Sequence, residues 1–83
     1  MKVQIRYFAA LREAIGVSRE VLETTAVDVA ALRAELIAKG GGHAECLAPG
    51  RAVRVAVNQV MASDSTPLQA DAEVGFFPPV TGG

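Results

Sequence analysis

The sequence predicts a small two-layer α+β domain in which one main helix packs against one mixed sheet. Two observations support this fold class. Residues 2–8 and 52–58 alternate apolar and polar side chains, as half-buried strands do. Residues 29–39 instead repeat apolar side chains at the spacing of an amphipathic helix. At 83 residues the chain has room for one domain, which we expect to span residues 1–83.

The first strand defines a core face and an opposite face of the predicted sheet. Its core face carries Val3, Ile5 and Tyr7. Phe8 falls on the opposite, polar face and is therefore out of pattern. We expect a short helix over residues 9–15 that ends at Gly16, because glycine readily adopts the left-handed conformation found at helix ends. Residues 19–24 form a second, weakly patterned strand.

The main helix is predicted to begin after Asp28, whose carboxylate can accept hydrogen bonds from the first amides of the helix. It runs to about Lys39. Its apolar stripe consists of Val29, Leu32, Leu36 and Ile37. Glu35 and Lys39 have the spacing of an i,i+4 ion pair on the helix surface.

The glycine run 40–42 is expected to end the main helix. The stretch that follows, up to Gly50, is predicted to be a loop with room for one helical turn over residues 44–47. His43 is interpreted as a solvated loop residue. Cys46 is interpreted as a small half-buried hydrophobe, without a basic neighbour to lower its pKa.

The second half of the chain is predicted to supply three more strands. Strand 52–58 is followed by a turn and by the short return strand 60–61. The last strand, 73–77, places Phe76 on the core face and Phe77 on the opposite face. The predicted core consists of Val3, Ile5, Tyr7, Leu32, Leu36, Val55, Val57, Val74 and Phe76.

Composition and charge argue against several function classes. Eight basic and nine acidic residues give a net charge of −1, which is too balanced for nucleic-acid binding. The uncharged stretches are too short and too interrupted by glycine and proline to span a membrane. One cysteine and one histidine cannot build a zinc site, and a lone cysteine fits a reducing compartment. We therefore expect a cytoplasmic protein with no metal site and no nucleic-acid or membrane partner.

The segment 76–83 is the most informative about function. Pro78 and Pro79 stiffen the exit from the sheet, and Gly82 and Gly83 follow without side chains. Such a tail can thread a narrow channel and carry a carboxylate into another protein, because glycine permits a close approach of the backbone. The alternative is a frayed terminus. The residue properties alone leave both interpretations open.

The ending Phe-Phe-Pro-Pro-Val-Thr-Gly-Gly resembles the C-terminus of the small subunits of molybdopterin synthase, a family of ubiquitin-like sulfur carriers. Further segments that resemble this family, in the same order, are residues 3–13, 29–33, 56–59 and 67–68. One departure from the family pattern is the loop 40–50. The resemblance implies a β-grasp fold, with adjacent parallel first and last strands. We also expect a flexible tail over residues 78–83, because no apolar side chain follows Val80 to anchor the last three residues.

The resemblance also implies a chemistry. An adenylating enzyme of the ubiquitin-activating type would use ATP to convert the carboxyl group of Gly83 into a transient acyl-adenylate, and sulfur would then replace AMP to give a thiocarboxylate. The large subunit of the synthase would receive the tail, including Thr81 and Gly82, and form the dithiolene of molybdopterin from a pterin precursor. The chain would be a carrier subunit of a heterotetramer without a tightly bound cofactor, and the catalytic residues would lie on the large subunit.

Phe8 and Phe77 both point away from the predicted core. If their strands are neighbours, they form one exposed apolar patch, which Met61 on the short return strand can join. The predicted partner interface combines this patch with the start of the tail, and consists of Phe8, Met61, Phe77, Pro78, Pro79 and Val80.

Three other functions remain open at this stage. Carriers for thiamine thiazole synthesis also end in Gly-Gly, but they are shorter and lack the Phe-Phe-Pro-Pro-Val-Thr run. The second possibility is a ubiquitin-like modifier attached to lysines. The third is an interaction module with an inert tail. The sequence identifies neither the sulfur donor nor the number of pathways that the carrier serves.

Overall fold

The computed structural model describes residues 1–79, which form a five-stranded sheet and three helices. The elements in chain order are β1 (Lys2–Tyr7), α1 (Ala10–Ile15), β2 (Arg19–Glu23), α2 (Val29–Ile37), α3 (Gly41–Leu47), β3 (Arg54–Val57), β4 (Val60–Met61) and β5 (Glu73–Phe77). Val80, Thr81, Gly82 and Gly83 lie outside the described residues, and so do the predictions made for them. None of the described helices has the length and apolar character needed to cross a membrane.

The sheet has the strand order β2-β1-β5-β3-β4. Strand β1 runs parallel to β5, and every other neighbouring pair is antiparallel. This confirms the predicted β-grasp fold, in which the first and last strands are adjacent and parallel. Because β1 and β5 run in the same direction, the chain leaves β5 next to the residue that follows β1, which is Phe8.

The core lies between the sheet and α2. Eight of the nine predicted core residues are buried, and the fully buried ones include Ile5, Leu36 and Val74. Val57 is half-buried, because beyond β3 the sheet continues only with the two-residue strand β4. Val57 was predicted to be a core residue, and this was wrong because its side chain is only partly buried, although it does pack against the core.

The predicted start of α2 is confirmed, whereas its predicted surface ion pair is wrong. The Asp28 carboxylate accepts a hydrogen bond from the backbone amide of Ala31 at 2.8 Å. The helix ends at Ile37, before Lys39. Lys39 Nζ instead donates to Glu20 Oε1 at 2.9 Å. The Glu35 carboxylate accepts a hydrogen bond from the hydroxyl of Thr24, which is buried.

The stretch up to Gly50, predicted to be a loop with room for one helical turn over residues 44–47, contains the longer helix α3, which already begins at Gly41. The glycines at the start of α3 have a low intrinsic helix propensity. The helix forms because it packs against α1 and α2. A side chain on Gly42 would place its Cβ 2.0 Å from the carbonyl oxygen of Ala14, so only glycine permits this contact with α1. Arg33 of α2 donates from Nε to the carbonyl of Leu47 at 2.7 Å and thereby ties α2 to the end of α3.

Candidate partner-binding site

The sheet has one face packed in the core and one face without helices, which we call the open face. It carries every second residue of each strand, and the ladder registers align these residues across the sheet. The open-face residues nearest to the start of the tail are Arg6, Phe8, Arg19, Arg54, Ala56, Met61, Gly75 and Phe77. This face holds Phe8, which was out of pattern in the sequence, together with Phe77 and Met61, which were predicted to form an apolar patch with it.

Phe8 and Phe77 are in contact on the open face, as predicted for the case in which the first and last strands are neighbours. Their ring centroids are 6.4 Å apart and the ring planes are inclined by 82°, an edge-to-face arrangement. Phe8 is 40% exposed and Phe77 is half-buried. Gly75 leaves room for the Phe8 ring, because a Cβ at that position would lie 3.2 Å from the ring and would press against it. We call Phe8 and Phe77 the aromatic pair.

The aromatic pair borders an apolar groove of about 410 Å³ on the open face. The groove is lined by Phe8, Ala56, Gln59, Glu73, Gly75 and Phe77. Met61 lies outside this lining. It faces Ala56 across the β3–β4 ladder, so it is two strand spacings, or about 10 Å, from β5. At 56% exposure, Met61 extends the apolar surface of the open face.

The tail starts directly at the aromatic pair. Pro78 and Pro79 follow Phe77, are half-buried and belong to no helix or strand. A partner that binds at the aromatic pair therefore lies beside the point where the chain leaves the sheet. The part that Pro78, Pro79 and Val80 play in partner binding stays a prediction.

A cluster around Glu20 was missed by the sequence analysis. The Glu20 carboxylate accepts a hydrogen bond from the Tyr7 hydroxyl at 2.7 Å and from Lys39 Nζ at 2.9 Å, and it lies 2.8 Å from His43 Nε2. His43 is half-buried on α3 and packs edge-to-face on Tyr7, so its interpretation as a solvated loop residue was wrong. The cluster ties β1 and β2 to α3.

The cluster shifts the ionisation of its members. Burial alone raises the pKa of Glu20, but the hydrogen bonds from His43, Lys39 and Tyr7 outweigh burial and lower that pKa to about 2. Burial, and then the hydrogen bond to Glu20, raises the pKa of Tyr7 well above its ordinary value. Tyr7 is therefore held neutral and Glu20 charged at neutral pH, which suits a structural contact.

Cys46 is half-buried on α3, as predicted, and lines a second groove of about 360 Å³. Burial raises the pKa of its thiol. Arg51 and Arg33 lie close enough to oppose this shift in part, so the expectation of no basic neighbour was wrong. The net effect still favours the protonated thiol, which is a poor nucleophile. Within residues 1–79, no group of three histidine, cysteine, aspartate or glutamate side chains could hold a metal ion.

Comparison with known proteins places this chain in a family. The chain matches the ThiS family over residues 5–83. It is 37% identical over 81 residues to the molybdopterin synthase sulfur carrier subunit of Escherichia coli (strain K12), across 98% of this chain and 99% of that protein.

Solved structures agree with this placement. The protein–protein complex of subunits 1 and 2 of molybdopterin-converting factor from Helicobacter pylori contains a chain that matches this one with a TM-score of 0.70 and 28% identity over the full length of both. SAMP1 from Haloferax volcanii matches with a TM-score of 0.79 over the full length of both chains, at 21% identity, which shows a common fold alone. Because the family match covers nearly the whole sequence, the chain belongs to the ThiS family.

Proposed function

We propose that this chain is the sulfur carrier subunit of molybdopterin synthase. The observation that carries the proposal is its 37% identity, over nearly the full length of both chains, to a sulfur carrier subunit of that enzyme. The chemistry of the described residues agrees with a carrier. The one thiol has a raised pKa, and the one histidine is engaged by Glu20, so neither is arranged as a catalytic nucleophile or base.

The reacting group in this proposal is the carboxyl group of Gly83. A carboxylate is a poor acyl donor, so an adenylating enzyme first joins it to AMP from ATP and releases pyrophosphate. A sulfur donor then displaces AMP and leaves a thiocarboxylate, whose soft sulfur attacks carbon well. The carrier needs no tightly bound cofactor for these steps. Because activation consumes ATP, we place the carrier in the cytoplasm.

The partner in this proposal is the large subunit of the synthase, bound on the open face. In the Helicobacter pylori structure, the similar chain is part of a complex of subunits 1 and 2. Phenylalanine and methionine are enriched in protein interfaces, and an apolar surface of this kind marks a binding site. The assembly is proposed to be a heterotetramer. A buried tail carboxylate needs a cationic partner, so we expect a lysine or arginine of the large subunit near Gly83.

Changes in tail length test the proposal in a reconstituted molybdopterin assay. Deleting Gly83, or adding one residue after it, moves the reacting carbon by about 3.5 Å. Even about 1 Å of displacement can lower a rate a hundredfold, so both variants should lose sulfur transfer. Both should fold normally, because the core lies between the sheet and α2. A chain extended by one residue before Met1 is the matched control and should stay active. Near-normal synthesis by either tail variant, without prior trimming, contradicts the proposal.

A further inference from the structure

Three arginines surround the aromatic pair on the open face. Arg19 stands directly opposite Arg6 in the β2–β1 ladder, and Arg54 stands directly opposite Phe77 in the β3–β5 ladder. All three arginine side chains are exposed. They therefore flank Phe8 and Phe77 on both sides, at the end of the sheet where the tail begins. We call Arg6, Arg19 and Arg54 the arginine rim.

The charge of the arginine rim is not balanced within residues 1–79. None of the three arginines takes part in an ion pair there. The carboxylates carried by the open-face positions of the strands, Glu23 and Glu73, stand opposite Lys2 and Gln4, toward the other end of the sheet. Glu73 also lines the groove beside the aromatic pair, but it forms no ion pair with any of the three arginines. Glu23 faces the amino group of Met1 at 3.4 Å. Since the whole chain has a net charge of −1, the positive charge is a local property of the tail end of this face.

The opposed pair Arg6 and Arg19 is electrostatically unfavourable in the isolated chain. Like charges directly opposite each other on neighbouring strands are destabilising, because their Cβ atoms are only about 5 Å apart. Arg6 is compensated in part, since its guanidinium carbon lies 5.2 Å from the centre of the Phe8 ring. Carboxylates supplied by a partner would relieve the repulsion between Arg6 and Arg19 on binding. The stacking of Arg6 on Phe8 also makes the rim continuous with the apolar surface.

We propose that the arginine rim guides the large synthase subunit onto the aromatic pair, and that the large subunit presents carboxylates around an apolar projection that enters the groove. This inference rests on the proposed function, which names that partner. Apolar contact supplies little long-range attraction, whereas charges act over about 8 Å at physiological salt and accelerate association. Arginine also suits this task because its planar guanidinium can form two parallel hydrogen bonds with one carboxylate.

Stopped-flow association of the full-length chain with the purified large subunit from the same organism tests the proposal. The wild-type rate should fall at least about tenfold as screening shortens the Debye length from about 30 Å in 0.01 M salt to about 3 Å in 1 M salt. Arg19→Gln and Arg54→Gln should each slow association about threefold at low salt, and together about tenfold, with smaller effects on dissociation. The double variant should also depend less on salt.

Lys2→Gln is the matched control for Arg19→Gln. It removes one positive charge from the open face of the neighbouring strand, but about 13 Å from Arg6 along β1. Its association rate at low salt should fall clearly less than that of Arg19→Gln, because its charge lies farther from the aromatic pair. The proposal is overturned if the double arginine variant associates at the wild-type rate at low salt. It is also overturned if Lys2→Gln slows association as much as Arg19→Gln, because net charge would then explain the effect.

A third variant, Phe77→Ala, distinguishes an error about the guiding role of the arginine rim from an error about the proposed function. If Phe77→Ala loses binding while the arginine variants associate normally, the large subunit binds the open face and only the guiding role of the arginine rim is wrong. If the wild-type chain does not bind the large subunit at all, both the rim and the proposed function are wrong.

Discussion

Replacing Glu20 with glutamine removes the charge at the centre of the cluster that ties β1 and β2 to α3. We expect this variant to lose about 1–2 kcal/mol of its free energy of unfolding at pH 7. The carboxylate is surrounded by the Tyr7 hydroxyl at 2.7 Å, His43 Nε2 at 2.8 Å and Lys39 Nζ at 2.9 Å. Glutamine keeps the shape of the side chain but offers one acceptor oxygen, and it turns an amide group toward the remaining donors.

The size of this effect follows from the ionisation of Glu20. Burial alone raises its pKa, but the three hydrogen-bond partners lower it from 4.5 to about 2. Each tenfold change in an ionisation constant corresponds to about 1.4 kcal/mol, so the shift sets an upper bound of about 3.5 kcal/mol. The side chain keeps 19% of its surface exposed, and screening by solvent reduces the expected value to about 1–2 kcal/mol.

The effect should also depend on pH. Because the pKa of Glu20 is lower in the folded state than in the unfolded state, the charged carboxylate stabilises the fold. This contribution is fully present above about pH 4.5 and is lost as the pH falls toward about 2. The difference in stability between wild type and Glu20→Gln should therefore shrink across that window.

Urea unfolding followed by circular dichroism, at pH 7 and at pH 3, measures the stability cost of Glu20→Gln and how this cost changes with pH. Glu45→Gln changes an exposed glutamate of α3 and is the matched control, with an expected change below about 0.5 kcal/mol. The assignment of Glu20 as a stabilising centre is refuted if Glu20→Gln costs less than about 0.5 kcal/mol at pH 7, or if its cost does not shrink on acidification.

Three further variants test the core, the thiol and the aromatic pair. Leu36→Ala removes a fully buried side chain of α2 and should cost about 2–5 kcal/mol in urea unfolding, whereas a cost below about 0.5 kcal/mol would mean that the apolar face of α2 is misassigned. Cys46→Ser should retain sulfur transfer in a reconstituted assay, because the sulfur is proposed to travel on Gly83; loss of transfer in a folded variant contradicts this. Phe77→Ala should weaken calorimetric binding to the large subunit by about 2 kcal/mol or more, while the exposed Val27→Ala should not; equal affinities would remove Phe77 from the interface.

The sheet and the aromatic pair were predictable because they depend on simple periodicity. Side chains alternate between the two faces of a strand, so Phe8 and Phe77 had to lie opposite the core once their strands were recognised. That the two residues meet also required β1 and β5 to be neighbours. This adjacency came from the family resemblance and not from the pattern, since a pattern of strands leaves their order open.

The helix α3 and the Glu20 cluster were not predictable from local sequence. Three consecutive glycines disfavour a helix, and α3 forms through contacts such as that of Gly42 with Ala14, which join parts of the chain far apart in sequence. Glu20 likewise meets Tyr7 and His43, which are 13 and 23 residues away. No local spacing rule indicates such pairs. The same limitation produced the incorrect ion pair on the main helix, because Lys39 reaches Glu20 instead of a neighbour on its own helix.

The central claim is that sulfur travels on the carboxyl group of Gly83, and intact mass spectrometry tests it most directly. The chain would be incubated with its adenylating enzyme, ATP and a sulfide donor, and the product fragmented to locate the change. We predict a mass gain equal to the exchange of one oxygen for one sulfur, located at Gly83, dependent on ATP and unchanged in Cys46→Ser. A gain of one whole sulfur atom on Cys46, or any gain that forms without ATP, would contradict the claim.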